Sequence, residues 1–263
     1  GGKAINLYRM QQKNIPVPEF IVITDLFFQN FKKNNNLIAL LASVNNSPDN
    51  LASIEKAILN AQFTKEEIEC ITLELQNEKL LGQYLAVRSS GADEDSMDHS
   101  FAGMFSSFLF KQSLEEILIS IKKCWASAFT QRNIEYRLKN NFSLNHIKMG
   151  VVIQRMINSE ISGVMFTRNP INLSDTQGIT IESVWGQCEG LVSGQLDSDK
   201  YYLNRTHSEI KKQIINKPQQ FLKDPKNENI LLQDVPSHLQ NESSLSDFHL
   251  EQLKTIAINL EDF

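Results

Sequence analysis

The chain opens on a helical pattern. Apolar Ala4, Leu7, Tyr8 and Met10 recur at helical spacing from the Gly1-Gly2-Lys3 start to about Lys13, where Pro16 and Pro18 end the run. Residues 19–24 are apolar and β-branched and predict a short strand, and a helix over about 25–33 follows until Asn34-Asn35-Asn36 stops it. From 37 to 81 the spacing is helical, turned once at Asn45-Asn46-Ser47-Pro48, with Thr64 and Glu67 forming a capping box ahead of Ile68, Ile71 and Leu75. An apolar run then delivers Arg88 to a strand end, a loop of small and acidic residues follows, and 104–110 predicts a second strand. Ser113 and Glu116 make another capping box for a helix that reaches toward Lys139. After Asn145 the period becomes that of strands, over 147–157, 161–167, 179–184, 200–203, 209–214 and 230–234. A last helix begins near Ser246, with Asp247 in its first turn.

This order predicts an α+β chain in two parts: a mixed part over 1–145, with 34–80 as a helical insertion, and a strand-rich part over 146–263. No internal repeat or low-complexity linker interrupts it. With 263 residues, 41% hydrophobic and 22% charged, the chain has enough apolar content to build packed cores. The net charge of −5 excludes a bulk basic surface for nucleic acid or an anionic membrane, so local basic residues must do any phosphate work. No apolar run approaches the roughly 20 residues of a membrane helix, and no secretory signal pattern opens the chain. Cys70, Cys124 and Cys188 form neither a CxxC pair nor a disulfide framework, and a reducing cytoplasm is the expected location. The five His show no metal-ligand spacing.

The richest chemistry lies at 86–103, Ala-Val-Arg-Ser-Ser-Gly-Ala-Asp-Glu-Asp-Ser-Met-Asp-His-Ser-Phe-Ala-Gly. A strand that fixes one guanidinium, followed by small residues that let backbone N–H groups approach an anion, suits phosphate. An Arg at a strand end beside a solvated acidic turn is the plainer account of the same residues. Lys3 follows a Gly-Gly turn at a helix start, where the helix N-terminus adds partial positive charge. Neither a GxxxxGK[ST] nor a GxGxxG motif occurs. Gln154 and Arg155 stand near the end of a strand that otherwise reads as core. Glu182 lies at the exit of an apolar strand, where its carbonyl and the N–H two residues on offer an acceptor–donor pair suited to an adenine edge. Gly186, Gly190 and Gly194 after it read as a flexible loop.

Taken in order, GGK-x-x-N-L, P-V-P, A-V-R-S-S, E-D-S-x-D-x-S-F-A-G, V-V-I-Q-R-M, S-G-V-M-F-T, I-E-S-V-W-G and L-V-S-G resemble the nucleotide-binding domain of the phosphoenolpyruvate synthase family. Pyruvate phosphate dikinase, rifampin phosphotransferase and glucan, water dikinase carry relatives of this domain. The resemblance spans nearly the whole chain apart from about 34–80. It implies an ATP-grasp fold holding ATP between two α+β subdomains. It also implies a phosphotransferase that passes the β-phosphate of ATP through a His on another domain to an acceptor such as pyruvate, an antibiotic or a glucan, releasing AMP and phosphate.

By the same resemblance, Lys3 and Arg88 contact phosphate, and Gly103 and Ser107 belong to the loop over the triphosphate. Gln154 lines the pocket, and Glu182, Ser183 and Val184 form the adenine segment. Ser107 stands where Thr is usual, Met104-Phe105 where Gln-Gln is common, and Ser198-Asp199-Lys200-Tyr201 where Pro-Asp-Arg-Tyr is frequent. Magnesium ligands, the phosphohistidine domain and the acceptor domain are expected beyond residue 263, as parts of a longer protein. The other class of reading is a nucleotide-binding module without catalysis.

Overall fold

The first helical pattern folds as α1 (Gly2–Gln12), and the stretch after Pro16 and Pro18 as strand β1 (Phe20–Ile23) and α2 (Asp25–Asn34). Helices α3 (Ile38–Ala42), α4 (Pro48–Asn60) and α5 (Lys65–Asn77) follow, then β2 (Leu85–Gly91), the two-residue strands β3 (Asp95–Ser96) and β4 (His99–Ser100), and β5 (Ser107–Lys111). The predicted helix after Ser113 is two helices, α6 (Leu114–Ser127) and α7 (Gln131–Lys139), because Thr130 turns extended and caps α7 by accepting from Asn133 N–H. Strand β6 (Met149–Arg155) completes this part. The structure is a computed structural model and describes residues 1–91, 95, 96, 99, 100, 106–144, 147–170, 172, 174–226 and 230–261. Of the predicted site residues, Gly103 lies outside these. The chain divides into two compact units, Gly1–Ile157 and Asn158–Phe263.

In the first unit β1, β6, β2 and β5 form, in that order, one antiparallel sheet. The change of period after Asn145 groups 149–155 with the later strands. In the fold this segment lies at the sheet centre between β1 and β2, so the division falls after Ile157. One face of the sheet, with Ile21, Ile23, Leu85, Val87, Val151 and Ile153, packs on the helices. Segment 34–80 is a wall of that core: Leu41, Leu51, Ile54, Ile58, Ile71 and Leu75 are buried in it. Trp125 of α6 stacks on Phe28 at 4.7 Å and meets Phe31 at 4.8 Å, an aromatic knot between α2 and α6. Lys122 closes the seam by donating from Nζ to the carbonyls of Leu59 and Ala61 at the C-terminal end of α4, at 2.6 and 3.1 Å.

Both capping boxes form as read, with Thr64 Oγ1 accepting from Glu67 N–H and Ser113 Oγ from Glu116 N–H. Thr64→Ala removes the first of these acceptors and is expected to cost about 1 kcal/mol of unfolding free energy, measured as a lower urea midpoint at unchanged slope.

The second unit contains β7 (Ile161–Phe166), β8 (Gly178–Trp185), the short helix α8 (Glu189–Val192), β9 (Asp199–Asn204), β10 (Ile210–Gln213), β11 (Gln219–Lys223), β12 (Ile230–Asp234) and α9 (Asp247–Glu261). Strands β10, β9, β8 and β7 form an antiparallel meander, and β11 pairs with β12. Strand β11 carries no clean alternation and was not expected from the pattern. One face of the meander, with Ile179, Ile181, Tyr201 and Leu203, packs with Leu250 and Ala257 of α9. The glycine stretch after β8 is ordered structure. Gly186 takes φ +75° beside the Phe221 carbonyl of β11, and Gly190 is buried in α8.

The second unit is pinned by a buried ion pair. Asp199 and Lys217 are 0% and 3% exposed, and Lys217 Nζ lies 2.7 Å from Asp199 Oδ1. Ile215 N–H also donates to Oδ1, while Ser244 donates to Oδ2 from both its N–H and its hydroxyl. The Tyr201 hydroxyl donates to Oδ2 at 3.2 Å.

Candidate functional site

The sheet of the first unit has a second face, and Arg88, Ser107 and Gln154 lie on it. Residues two apart along a strand share a face, so Arg88 lies with Ala86 and Ser90, away from core-facing Leu85 and Val87. Across the ladders Arg88 stands opposite Val152 of β6 and opposite Ser107 of β5, and Gln154 of β6 stands opposite Ala86 and Phe20. Arg88 Nη1 donates to Gln154 Oε1 at 3.4 Å, and Gln154 Nε2 donates to the Pro18 carbonyl at 3.3 Å.

Ser107 reaches this position through an irregularity that the sequence does not announce. Leu85 pairs with Lys111, but Val87 pairs with Phe108, one residue out of step. Phe110 absorbs the extra residue at φ 55°, in the left-handed region, while its side chain is buried. Without that bulge Phe108 would face Arg88. A one-residue slip exchanges the two faces of a strand, so the bulge is what sets a hydroxyl opposite the guanidinium.

Lys3 belongs to the same end of the unit. Helix α1 meets β2 where Ala4 N–H donates to Ser90 Oγ at 3.4 Å, two residues past Arg88. A Cβ on Gly1 would lie 2.4 Å from the Ser90 carbonyl oxygen and 2.5 Å from that of Gly91, so the Gly-Gly start is what lets the helix abut the strand. Helix α1 has no side-chain cap and no acidic residue in its first turn, which leaves its positive end with Lys3. Burial pushes the thiol of Cys124 far above its ordinary pKa, and Lys3 acts in the opposite direction. Lys3 is thus within electrostatic reach of a residue whose sulfur lies 3.7 Å from the Val87 carbonyl, directly beneath Arg88's strand.

Glu182, Ser183 and Val184 belong to the second unit and divide between the faces of its sheet. The Glu182 carboxylate accepts from Ser198 Oγ at 2.8 Å and pairs with Lys200 Nζ at 3.7 Å, on the face away from α9. Ser183 is buried on the other face, 2.6 Å from the Ser244 hydroxyl. The backbone pair expected to meet an adenine is held in the sheet. Gly186 N–H donates to the Glu160 carbonyl on the β7 side, and N–H groups two apart point the same way, so the Glu182 carbonyl and the Val184 N–H face β7, in register with Val164 and Ser162. Trp185, unexplained by the pattern, donates from Nε1 to the Leu239 carbonyl and ties β8 to the segment after β12.

A cavity of about 480 Å³ also lies in this unit between β7 and α9, lined by Ile161, Met165, Leu253 and Ile256 among others. No Lys or Arg lines it, so it offers a phosphate no counter-charge.

The family model for "Pyruvate phosphate dikinase, AMP/ATP-binding domain" matches residues 1–263. The chain belongs to that family. Among curated members, a probable phosphoenolpyruvate synthase of Methanocaldococcus jannaschii is 32% identical over 99% of this chain and 23% of the relative. The uncharacterized phosphotransferase YvkC of Bacillus subtilis is 30% identical over 100% of the chain and 30% of the relative. The prodigiosin synthesizing transferase PigC of Serratia marcescens is 33% identical over 98% of the chain and 28% of the relative. The chain thus spans 23% to 30% of the length of these three relatives, and the segment matched is the AMP/ATP-binding domain.

The sequence names Arg88, Ser107 and Gln154, which the fold places on one face, and Lys3, which α1 brings to the end of β2, but it gives no part to Pro18 or Phe110. The Pro-Val-Pro motif was visible without a role. Nothing in the composition of Phe110 marks a left-handed residue.

Proposed function

We propose that this domain binds ATP in an ATP-grasp fold, with the two units as its subdomains, and serves a phosphotransferase of the phosphoenolpyruvate synthase kind. The observation that carries the reading is the first unit's second sheet face, where Arg88, Ser107 and Gln154 lie together and α1 brings Lys3 to the end of the same strand. Arg88 and Lys3 supply the positive charge that a triphosphate needs in a chain of net charge −5. A unit charge pair at about 4 Å and an effective dielectric near 20 is worth on the order of 4 kcal/mol before desolvation. Ser107, exposed on β5, offers a hydroxyl donor beside the guanidinium. Gly103 is assigned to the loop over the phosphates, whereas Glu182 and Val184, whose backbone pair is held against β7, and buried Ser183 keep no free edge for an adenine.

Phosphoryl transfer asks the protein mainly for position and charge neutralisation, which is what these residues offer. Among the described residues no three His, Cys, Asp or Glu side chains gather into a metal-binding group. In the longer protein the β-phosphate passes through a His of another domain to an acceptor such as pyruvate, and the cytoplasm is the proposed location. Relatives named for phosphoenolpyruvate synthesis and for prodigiosin synthesis share this segment, so we assign acceptor choice to the rest of the protein. None of the described helices is long and apolar enough to cross a membrane.

A thermal-shift series on the full-length protein tests the reading. Ligand at about 100 times its dissociation constant adds roughly 2.7 kcal/mol of stability. ATP and AMP are expected to raise the melting temperature more than GTP does, and equal or absent shifts with all three would remove the adenine-nucleotide site.

A further inference from the structure

We infer that Gln154 is a positioning residue: its amide, held by the Pro18 carbonyl, aims the Arg88 guanidinium at the phosphate chain. The inference rests on the ATP reading above and says how its main cation is held. Gln154 is 7% exposed at the centre of the sheet, between β1 and β2, and its side chain makes one bond toward each neighbour. A backbone carbonyl only accepts and a guanidinium only donates. Only one orientation of the amide satisfies both partners, with Nε2 on Pro18 and Oε1 on Arg88. The arrangement is therefore directional, and an isosteric carboxylate cannot reproduce it.

The Pro-Val-Pro motif gains a role from this. Pro18 has a fixed φ and no N–H to offer, and it delivers a bare carbonyl just before β1. The neighbouring Glu19 carbonyl accepts from Arg155 N–H at 2.9 Å, and the Glu19 carboxylate lies 3.0 Å from Arg155 Nε, so the acceptor is clamped beside Gln154. On the other side the bond takes one Nη1 hydrogen of Arg88. Among the described residues the remaining donors of the planar fork take no partner, and they can meet a phosphate's oxygens. A long side chain that would sample many rotamers is thereby biased toward one before the nucleotide arrives.

The test is a double-mutant cycle in the full-length protein, titrated calorimetrically with ATP and with adenosine. Gln154→Met keeps length and apolar bulk and removes both bonds. It is expected to weaken ATP about tenfold and adenosine by less than about twofold, because adenosine has no phosphate for Arg88 to meet. In an Arg88→Ala background the same change is expected to add less than about twofold for ATP. Gln154→Glu, which covers the case in which the Met variant does not fold, is expected to weaken ATP and spare adenosine, since its charge pairs with Arg88. Equal loss of ATP and adenosine would mean that Gln154 touches the base, and simple additivity with Arg88→Ala would mean that it does not act through Arg88. Either result overturns the inference. Failure of the wild-type protein to bind ATP at all would instead strike the proposed function and take the inference with it.

Discussion

Arg88→Ala is expected to lower ATP turnover by the full-length protein about a thousandfold or more, the scale seen when a charge-stabilising donor is removed from phosphoryl or acyl transfer. The fold should survive the change. Arg88 is only partly buried, stands on the face away from the helical core, and makes its bond to Gln154 at 3.4 Å, a long contact. The melting temperature without nucleotide should therefore move little, while the increment that ATP adds should shrink. Turnover within about tenfold of wild type, measured as AMP release, would take Arg88 out of the mechanism. Arg88→Lys separates charge from geometry. A lysine keeps the charge but loses the planar fork that bonds Gln154 and phosphate together, so most of the loss is expected to remain.

Breaking the buried pair of the second unit is expected to cost stability on the largest scale. Lys217→Met leaves the Asp199 carboxylate buried without its cation, and such a loss costs about 3–5 kcal/mol. Asp199→Asn is expected to be comparable, because Lys217 then stays buried opposite a neutral group. Combining Lys217→Met with Asp199→Asn, whose amide oxygen keeps an acceptor for the Ser244 and Ile215 donors, should cost less than either single change. The comparison is made by urea unfolding of the three variants, and a double variant worse than both singles would contradict it.

The carboxylate also carries a pH signature. Burial by itself would raise the Asp199 pKa, but the bonds from Lys217, from the Ser244 N–H and hydroxyl, and from the Ile215 N–H outweigh it and hold it below the ordinary value. A group depressed in the folded state contributes stability that is complete above its unfolded pKa, about 3.9 for Asp. That contribution is lost as pH falls through the folded value. The stability gap between wild type and Asp199→Asn is thus expected to be constant above about pH 5 and to close below about pH 4.

Much of the local structure was legible in the order of residues. The capping boxes at Thr64 and Ser113 needed only three-residue spacing, and both helices start where they say. Strands β1, β7, β8 and β9 alternate or run apolar, and they appear within a residue or two of the expected positions. Strand β11 was missed because its residues, Gln-Gln-Phe-Leu-Lys, carry no core-facing alternation. The division near 145 followed a change of period, whereas the fold divides after Ile157. Period tells which kind of element a segment forms, not which sheet it joins, and β6 joins the earlier one.

At the candidate site, residue types were readable from local pattern and their relations were not. Arg88 at a strand end, Lys3 after two glycines and Gln154 in an apolar strand are each properties of a few neighbouring residues, as is the family signature that they compose. What brings Ser107 opposite Arg88 is the left-handed turn of Phe110, paid for by burying its ring. What aims Gln154 is a carbonyl 136 positions away. The direction of the Glu182 carbonyl, toward β7, follows from pairing partners. Periodicity, caps and charge are short-range and survive in the order of amino acids. Register, strand neighbours and the orientation of an amide come from contacts between distant segments, which exist only once the sheet has closed.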